Sequence, residues 1–222
     1  MHFKTKKALP LILLLAAGLM SCADVPSTGP QPPNLIAQFR FVHAAGDLGN
    51  VGVVVDGAAV GSLAFKAALP YTEFPAGSRV AVLSNGDTLR IAMESYSRGT
   101  VVILPKAGPV REIIKLSERR VFDSVNTGEA WLRIVHAAEV PNLFVKIVGP
   151  DTVRLSDTAF SNATNSTNYL RLPAGNYTIS VATAADTTTI LASATLNAVN
   201  KRQTSVILRS AGALELVNLA DD

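Results

Sequence analysis

Two of the chain's three histidines stand in one repeated phrase. "FRFVHAA" occupies 39–45 and "LRIVHAA" occupies 132–138, which places His43 and His136 in matching contexts. Imidazole serves both as a metal ligand and as a general base near neutral pH. A metal site needs three or four converging donors, and the third histidine, His2, belongs to a segment with the marks of a cleaved leader. A general base needs a nucleophile or an acid partner, yet no serine occupies a G-x-S-x-G elbow. The pair is therefore read as structural, with a place on a ligand-binding rim as the lesser alternative. Each imidazole closes the apolar face of its strand and hydrogen-bonds a loop carbonyl or carboxylate, with Asp47 and Glu139 close by in sequence. No catalytic, metal-ligating or cofactor-binding residue is assigned, and no cofactor is expected.

Carboxylates offer the other route to catalysis. Asp47, Asp56, Glu73, Asp87 and Glu94 have no counterparts forming an obvious pair in the second half of the chain. Glycoside hydrolysis needs two such groups at a set separation. A calcium loop needs a tighter array of oxygen donors than any present here. These residues are read as turn and surface groups. Trp131 and Tyr169 are read as packing within the second half, with a sugar-stacking platform as the minor alternative.

Cys22 is the only cysteine, and its surroundings give it a purpose. Lys4, Lys6 and Lys7 precede an apolar run from Leu9 to Met20, too short to span a bilayer comfortably and shaped like a secretory signal. The run ends in "LMSC", which resembles a bacterial lipoprotein box with Cys22 as the lipid acceptor. Two or more acyl chains there, palmitate among them, would hold the protein on a membrane. Ala23 at the next position resembles the outer-membrane side of the enteric sorting rule. The expected location is the cell envelope, at the outer membrane, with the lipid on Cys22 as the membrane contact.

Removing residues 1–21 takes away three lysines and no acid, so the net charge of +3 vanishes, leaving 17 basic and 17 acidic side chains. A neutral chain without interleaved basic and aromatic residues argues against a nucleic-acid partner. Residues 22–36 form the lipidated N-terminus and a Pro/Gly-rich tether, "ADVPSTGPQPPNL", semi-extended at its prolines.

The remainder is a duplication. "FRFVHAAGDLGNVGVVVDG" (39–57) aligns with "LRIVHAAEVPNLFVKIVGP" (132–150), "YTEFPAG" (71–77) with "YLRLPAG" (169–175), and "TVVILPKAG" (100–108) with "TSVILRSAG" (204–212). Order is kept while the offset grows through loop insertions. The first domain is assigned to 37–118 and the second to 129–222. Within each, apolar residues alternate with period two: Phe39, Phe41 and His43 face one way, Arg40 and Val42 the other. Asp56-Gly57 and Asn85-Gly86 are hairpin signals. No stretch sustains an amphipathic helix. Six or seven strands per roughly 85 residues predict an all-β protein of two tandem antiparallel immunoglobulin-like β-sandwich domains.

The strand "FRFVHAA…VGVVVDG" followed by "YTEFPAGSRVAV", and again "LRIVHAA…LFVKIVG" with "YLRLPAGNYTISV", resemble the repeat of the DUF4397 family. That resemblance implies tandem secreted or anchored bacterial β-domains and supplies no catalytic residues. Five short motifs, "DTL", "DSV", "DTV", "DTA" and "DTT", resemble the O-glycosylation site of Bacteroidota envelope proteins. Their acceptors are Thr88, Ser124, Thr152, Thr158 and Thr187. The functional expectation is a lipid-anchored, non-catalytic envelope module that binds or spaces protein or glycan partners. A carbohydrate-active or other hydrolytic accessory enzyme with a loop-built site is the alternative.

Overall fold

The computed structural model describes residues 35–118, 125–158, 162–163, 169–199 and 202–221; Cys22, the tether up to residue 34 and Ser124 lie outside them, while Ile36, assigned to the tether, opens the first strand. Among these residues every regular element is a strand. The first repeat contains β1 (Ile36–His43), β2 (Val51–Val55), β3 (Ala58–Leu63), β4 (Thr72–Pro75), β5 (Gly77–Leu83), β6 (Thr88–Met93), β7 (Arg98–Ile103) and β8 (Ile113–Glu118). The second follows with β9 (Glu129–His136), β10 (Leu143–Val148), β11 (Thr152–Thr158), β12 (Asn162–Ala163) and β13 (Leu170–Pro173). It closes with β14 (Gly175–Thr183), β15 (Ala192–Ala198), β16 (Arg202–Ser210) and β17 (Ala213–Ala220).

Each repeat is a two-sheet sandwich. In the first, the sheet β4-β1-β7-β8 faces β3-β2-β5-β6; in the second, β12-β9-β16-β17, with β13 also on β9, faces β11-β10-β14-β15. Pairing is antiparallel except at β1–β7 and β9–β16, which run parallel. Those two pairs join the first strand of each repeat to its last but one, and periodicity carries no record of such long-range partners. The extra strands beyond the expected six or seven are short ones, such as β4 and β13, whose four residues end in the Pro-Ala-Gly phrase.

Turn chemistry explains the hairpins. Asp56 (φ 47°) and Gly57 (φ 86°) both take left-handed conformations between β2 and β3, as the two central residues of a type I′ turn require. Gly86 (φ 91°) serves the β5–β6 hairpin, where its N–H donates to the Leu83 carbonyl at 2.8 Å.

Period-two alternation sorts the side chains into three apolar layers. Ala37, Phe39 and Phe41 enter the core between the first repeat's sheets, with Val53, Leu83 and Ile91 opposite. Ala130, Leu132 and Ile134 do the same in the second repeat, against Val145, Ile179 and Leu196. The other face of β1 and β9 is also buried. Val42, Ala44, Val102, Leu104 and Leu116 meet Val135, Ala137, Val206 and Leu208 in a third cluster, so the two sheets containing β1 and β9 pack on each other. The repeats thus form one compact unit from Leu35 to the C-terminus.

Both repeats run in the same direction along this seam. Arg40, midway along β1, meets Asp221 just past β17. At the opposite end Lys66 Nζ lies 2.5 Å from Glu215 Oε2, where Lys66 N–H also bonds the His43 carbonyl. Leu35 therefore enters at one end, and the loops that follow His43 and His136 lie together at the other, the far end.

Candidate functional site

The entry half of the seam is polar, and its residues repeat. Arg40 and Arg133 come from matching positions of β1 and β9, Thr100 and Thr204 from β7 and β16, Tyr71 and Tyr169 from just before β4 and β13. Arg40 donates from Nε to Thr100 Oγ1 (2.9 Å), from Nη1 to the Ala220 carbonyl (2.5 Å), and from Nη2 to Asp221. Arg133 donates from Nε to Thr204 Oγ1 (3.2 Å), from Nη1 to the Ser117 carbonyl (3.4 Å), and from Nη2 to Glu118 Oε1 (3.3 Å). Thr100 donates to Glu118 (2.8 Å) and Thr204 to Asp221 (2.6 Å); Tyr71 OH donates to Glu118 (2.7 Å) and Tyr169 OH to Asp221 (2.9 Å).

Each arginine thus reaches across the seam to the carboxylate that closes the other repeat, a pseudo-two-fold arrangement. Four ionised groups buried to this degree are tolerated because each is paired and multiply hydrogen-bonded. Burial, and then the charge of Glu118, push the Tyr71 hydroxyl well above the usual tyrosine range; burial and Asp221 do the same to Tyr169. Both phenols remain donors at neutral pH. The network links the two repeats across the seam.

His43 is fully buried. Its Nε2 lies 2.9 Å from the Gly49 carbonyl, and its Nδ1 accepts the Ala45 N–H at 3.2 Å. A carbonyl only accepts, so the ring proton sits on Nε2. The imidazole fixes the 45–49 loop through a carbonyl partner, while Asp47 turns to Arg111. His136 is equally buried at the end of β9. Among the described residues no group of three or more His, Cys, Asp or Glu could hold a metal ion.

At the far end the repeats differ. The first is closed by Arg111, whose side chain is 1% exposed. It donates from Nη1 and Nη2 to Asp47 (3.2 and 2.8 Å), from Nε to Asp87 (2.6 Å), and from Nη1 to the Leu104 carbonyl (2.7 Å). Hydrogen bonding to Arg111 lowers the Asp47 carboxyl below its ordinary value and brings Asp87 down to about 2.

Among the described residues the far end of the second repeat is open. Val140, Pro141, Leu143, Leu191 and Leu214 line an apolar cleft of about 280 Å³ between its sheet ends, with Arg209 at the rim. Past Arg209 the cleft continues into a shallow recess bounded by Asp47, Pro105 and Glu139, where both post-histidine loops converge. A Cβ on Gly46 would lie 2.8 Å from the Arg209 carbonyl, so glycine permits the first loop to close on the second repeat.

The remaining sequence candidates are dispersed. Asp56 pairs with Arg79, Glu94 with Lys115, and Glu73 accepts a hydrogen bond from Gln38. Trp131 and Tyr169 stack obliquely at 6.2 Å, and Arg171 lies 4.6 Å over the indole. Thr88 and Thr152 are exposed at strand starts, Thr187 is exposed in the loop after β14, and Thr158 ends β11. Of the seam residues sequence reasoning singled out only Tyr169, as a packing residue; the seam arginines and threonines, Tyr71 and the Arg209 cleft were not singled out. The seam arginines, threonines and tyrosines stand inside the aligned phrases, so a polar residue repeated on the second face of a core strand is a signal for them. The cleft leaves no signal, because it arises where the repeats diverge.

The model of the family described as "Domain of unknown function (DUF4397)" matches residues 37–146 and again 130–222. No curated protein matches the chain. A crystal structure from Bacteroides uniformis, of a protein proposed to act in cell adhesion, is similar over 86% of this chain and 99% of its own, at 10% identity and a TM-score of 0.25. A likeness at that score carries no argument about function.

Proposed function

Because the chain belongs to the DUF4397 family through both of its repeats, we propose that it is a lipid-anchored, non-catalytic module of the cell envelope that binds a protein or glycan partner at its far end. The observation carrying this reading is the open apolar cleft in the second repeat, placed at the end remote from Leu35. A tether entering at Leu35 would hold the entry end toward a membrane and leave the cleft facing outward. Convergent apolar concavity is the usual form of a binding site.

The enzyme reading would draw on the recess bounded by Asp47 and Glu139. Asp47 is poorly suited to it. A general acid needs a raised pKa, whereas Arg111 holds this carboxyl low and occupies both its oxygens. The exposed Thr88 and Thr152 are available for glycosylation and do not line the cleft, whereas the exposed Thr187 lies in the loop between the lining residues Thr183 and Leu191.

Two measurements test the proposal. Metabolic labelling with a fatty-acid analogue should mark the wild-type protein and not Cys22→Ser; undiminished label in the variant would exclude Cys22 as the anchor. Affinity capture from native envelopes should recover a partner that Leu191→Asp fails to retain. Equal recovery by both proteins would remove the far end as the binding surface.

A further inference from the structure

We propose that the open end of the second repeat is a receptor for the C-terminal residue of a partner polypeptide, one with a large apolar side chain and a free carboxylate. This rests on the far-end reading above and adds the chemistry of the occupant. The side chain would sit among Val140, Pro141, Leu143, Leu191 and Leu214. The carboxylate would pair with Arg209.

Size comes first. The cleft holds about 280 Å³, just under the roughly 300–1,000 Å³ of pockets that take whole drug-sized ligands. It suits one large side chain rather than an extended lipid or an oligosaccharide. The wall residues are overwhelmingly apolar, so the inserted group must be apolar too, since a buried polar group without a partner costs free energy.

Arg209 supplies the charge. It is on the core-facing row of β16 with Ile207, which brings its side chain to the cleft rim. Its Nε donates to the Gly212 carbonyl at 3.3 Å, and among the described residues its Nη groups have no partner. A guanidinium presents paired N–H donors that match a carboxylate in a two-bond fork.

The first repeat shows what that geometry is worth inside the molecule. There Pro105 stands where the second repeat has Arg209, and the closing guanidinium of Arg111 meets two carboxylates of the chain itself, Asp47 and Asp87. Among the described residues of the second repeat the guanidinium has no carboxylate partner and the apolar end no plug, and one C-terminal residue would supply both. The recess beyond Arg209, about 200 Å³ in volume, leaves room for the preceding residue of the partner. Asp47 and Glu139 at that recess disfavour a second negative charge there, so a single carboxylate fits better than a diacid.

The full chain in detergent, titrated with N-acetyl-Gly-Phe bearing a free carboxylate, provides the test by nuclear magnetic resonance. The amides of Leu191, Arg209 and Gly212 should shift together. The C-terminal amide of the same peptide should bind about ten-fold more weakly, and Arg209→Gln should bring the acid down to the level of the amide, as expected for loss of a charge-assisted fork. Equal affinities of acid and amide, or shifts confined to other residues, would overturn the proposal. Free 3-phenylpropionate binding as tightly as the peptide would overturn the polypeptide as the source. Failure here together with loss of partner capture in Leu191→Asp would leave the far-end reading standing without this occupant.

Discussion

His43 acts through two hydrogen bonds, one to each ring nitrogen, and both end in the loop that carries Asp47. Replacing it with alanine leaves the Gly49 carbonyl and the Ala45 N–H to find other partners, at a cost of about 1–3 kcal/mol. His43→Ala should lower the melting temperature without removing a metal, checked by thermal melts with elemental analysis; a stoichiometric metal lost on substitution would contradict the structural role. The tyrosines give a pH signature. An unfolded tyrosine ionises near about pH 10, whereas folded Tyr71 holds its proton to higher pH because of burial and Glu118. Above that point the unfolded chain binds fewer protons than the folded one, so stability falls as pH rises. Tyr71→Phe removes this titration and should flatten the alkaline limb of a stability profile; an unchanged limb would mean that the phenol is not protected.

At the scale of elements, local chemistry was the most legible. Asp56-Gly57 and Asn85-Gly86 mark hairpins, and the alternation in "QFRFVHA" separates the core face of β1 from its second face. Gly57→Val should destabilise the β2–β3 hairpin, because a β-branched residue at φ 86° is strained; hydrogen exchange of β3 amides reports it, and unchanged protection there would contradict the I′ turn. What that second face meets was not legible. Alternation assigns Arg40 only to the face opposite Phe39 and Phe41, and only the fold places it against a carboxylate 181 residues away. The parallel β1–β7 and β9–β16 pairs escaped for the same reason, since alternation shows which face is buried but not which strand lies alongside. The cleft was illegible because it depends on a difference, Arg111 with its two aspartates in one repeat and none in the other.

For the whole molecule, the seam decides whether the repeats behave as one body. Breaking one partner of a buried ion pair costs about 3–5 kcal/mol, while replacing both with apolar residues of similar volume is often neutral or better. Arg40→Met should therefore destabilise strongly, and combining it with Asp221→Leu, which also strands the Thr204 and Tyr169 hydroxyls, should cost less than the sum of the two single changes in a denaturant titration. Additive losses would show that the pair is not coupled. The apolar cluster around Val42, Leu104, Val135 and Val206 gives the same junction a second means of cohesion. A chain nicked between residues 119 and 128 should accordingly elute as a single species of undiminished size. Two separately eluting fragments would show that the covalent link alone keeps the repeats together.

The position of β1 has a mechanical consequence. It is an interior strand, bonded to β4 on one side and, over Gln38–His43, to β7 on the other. Tension between Leu35 and a cargo gripped at the opposite end would run nearly parallel to this strand. Its hydrogen bonds would then be loaded side by side in shear, rather than peeled one after another. A strand so placed resists extraction collectively, which suits a body held by its leading segment and pulled from its tip.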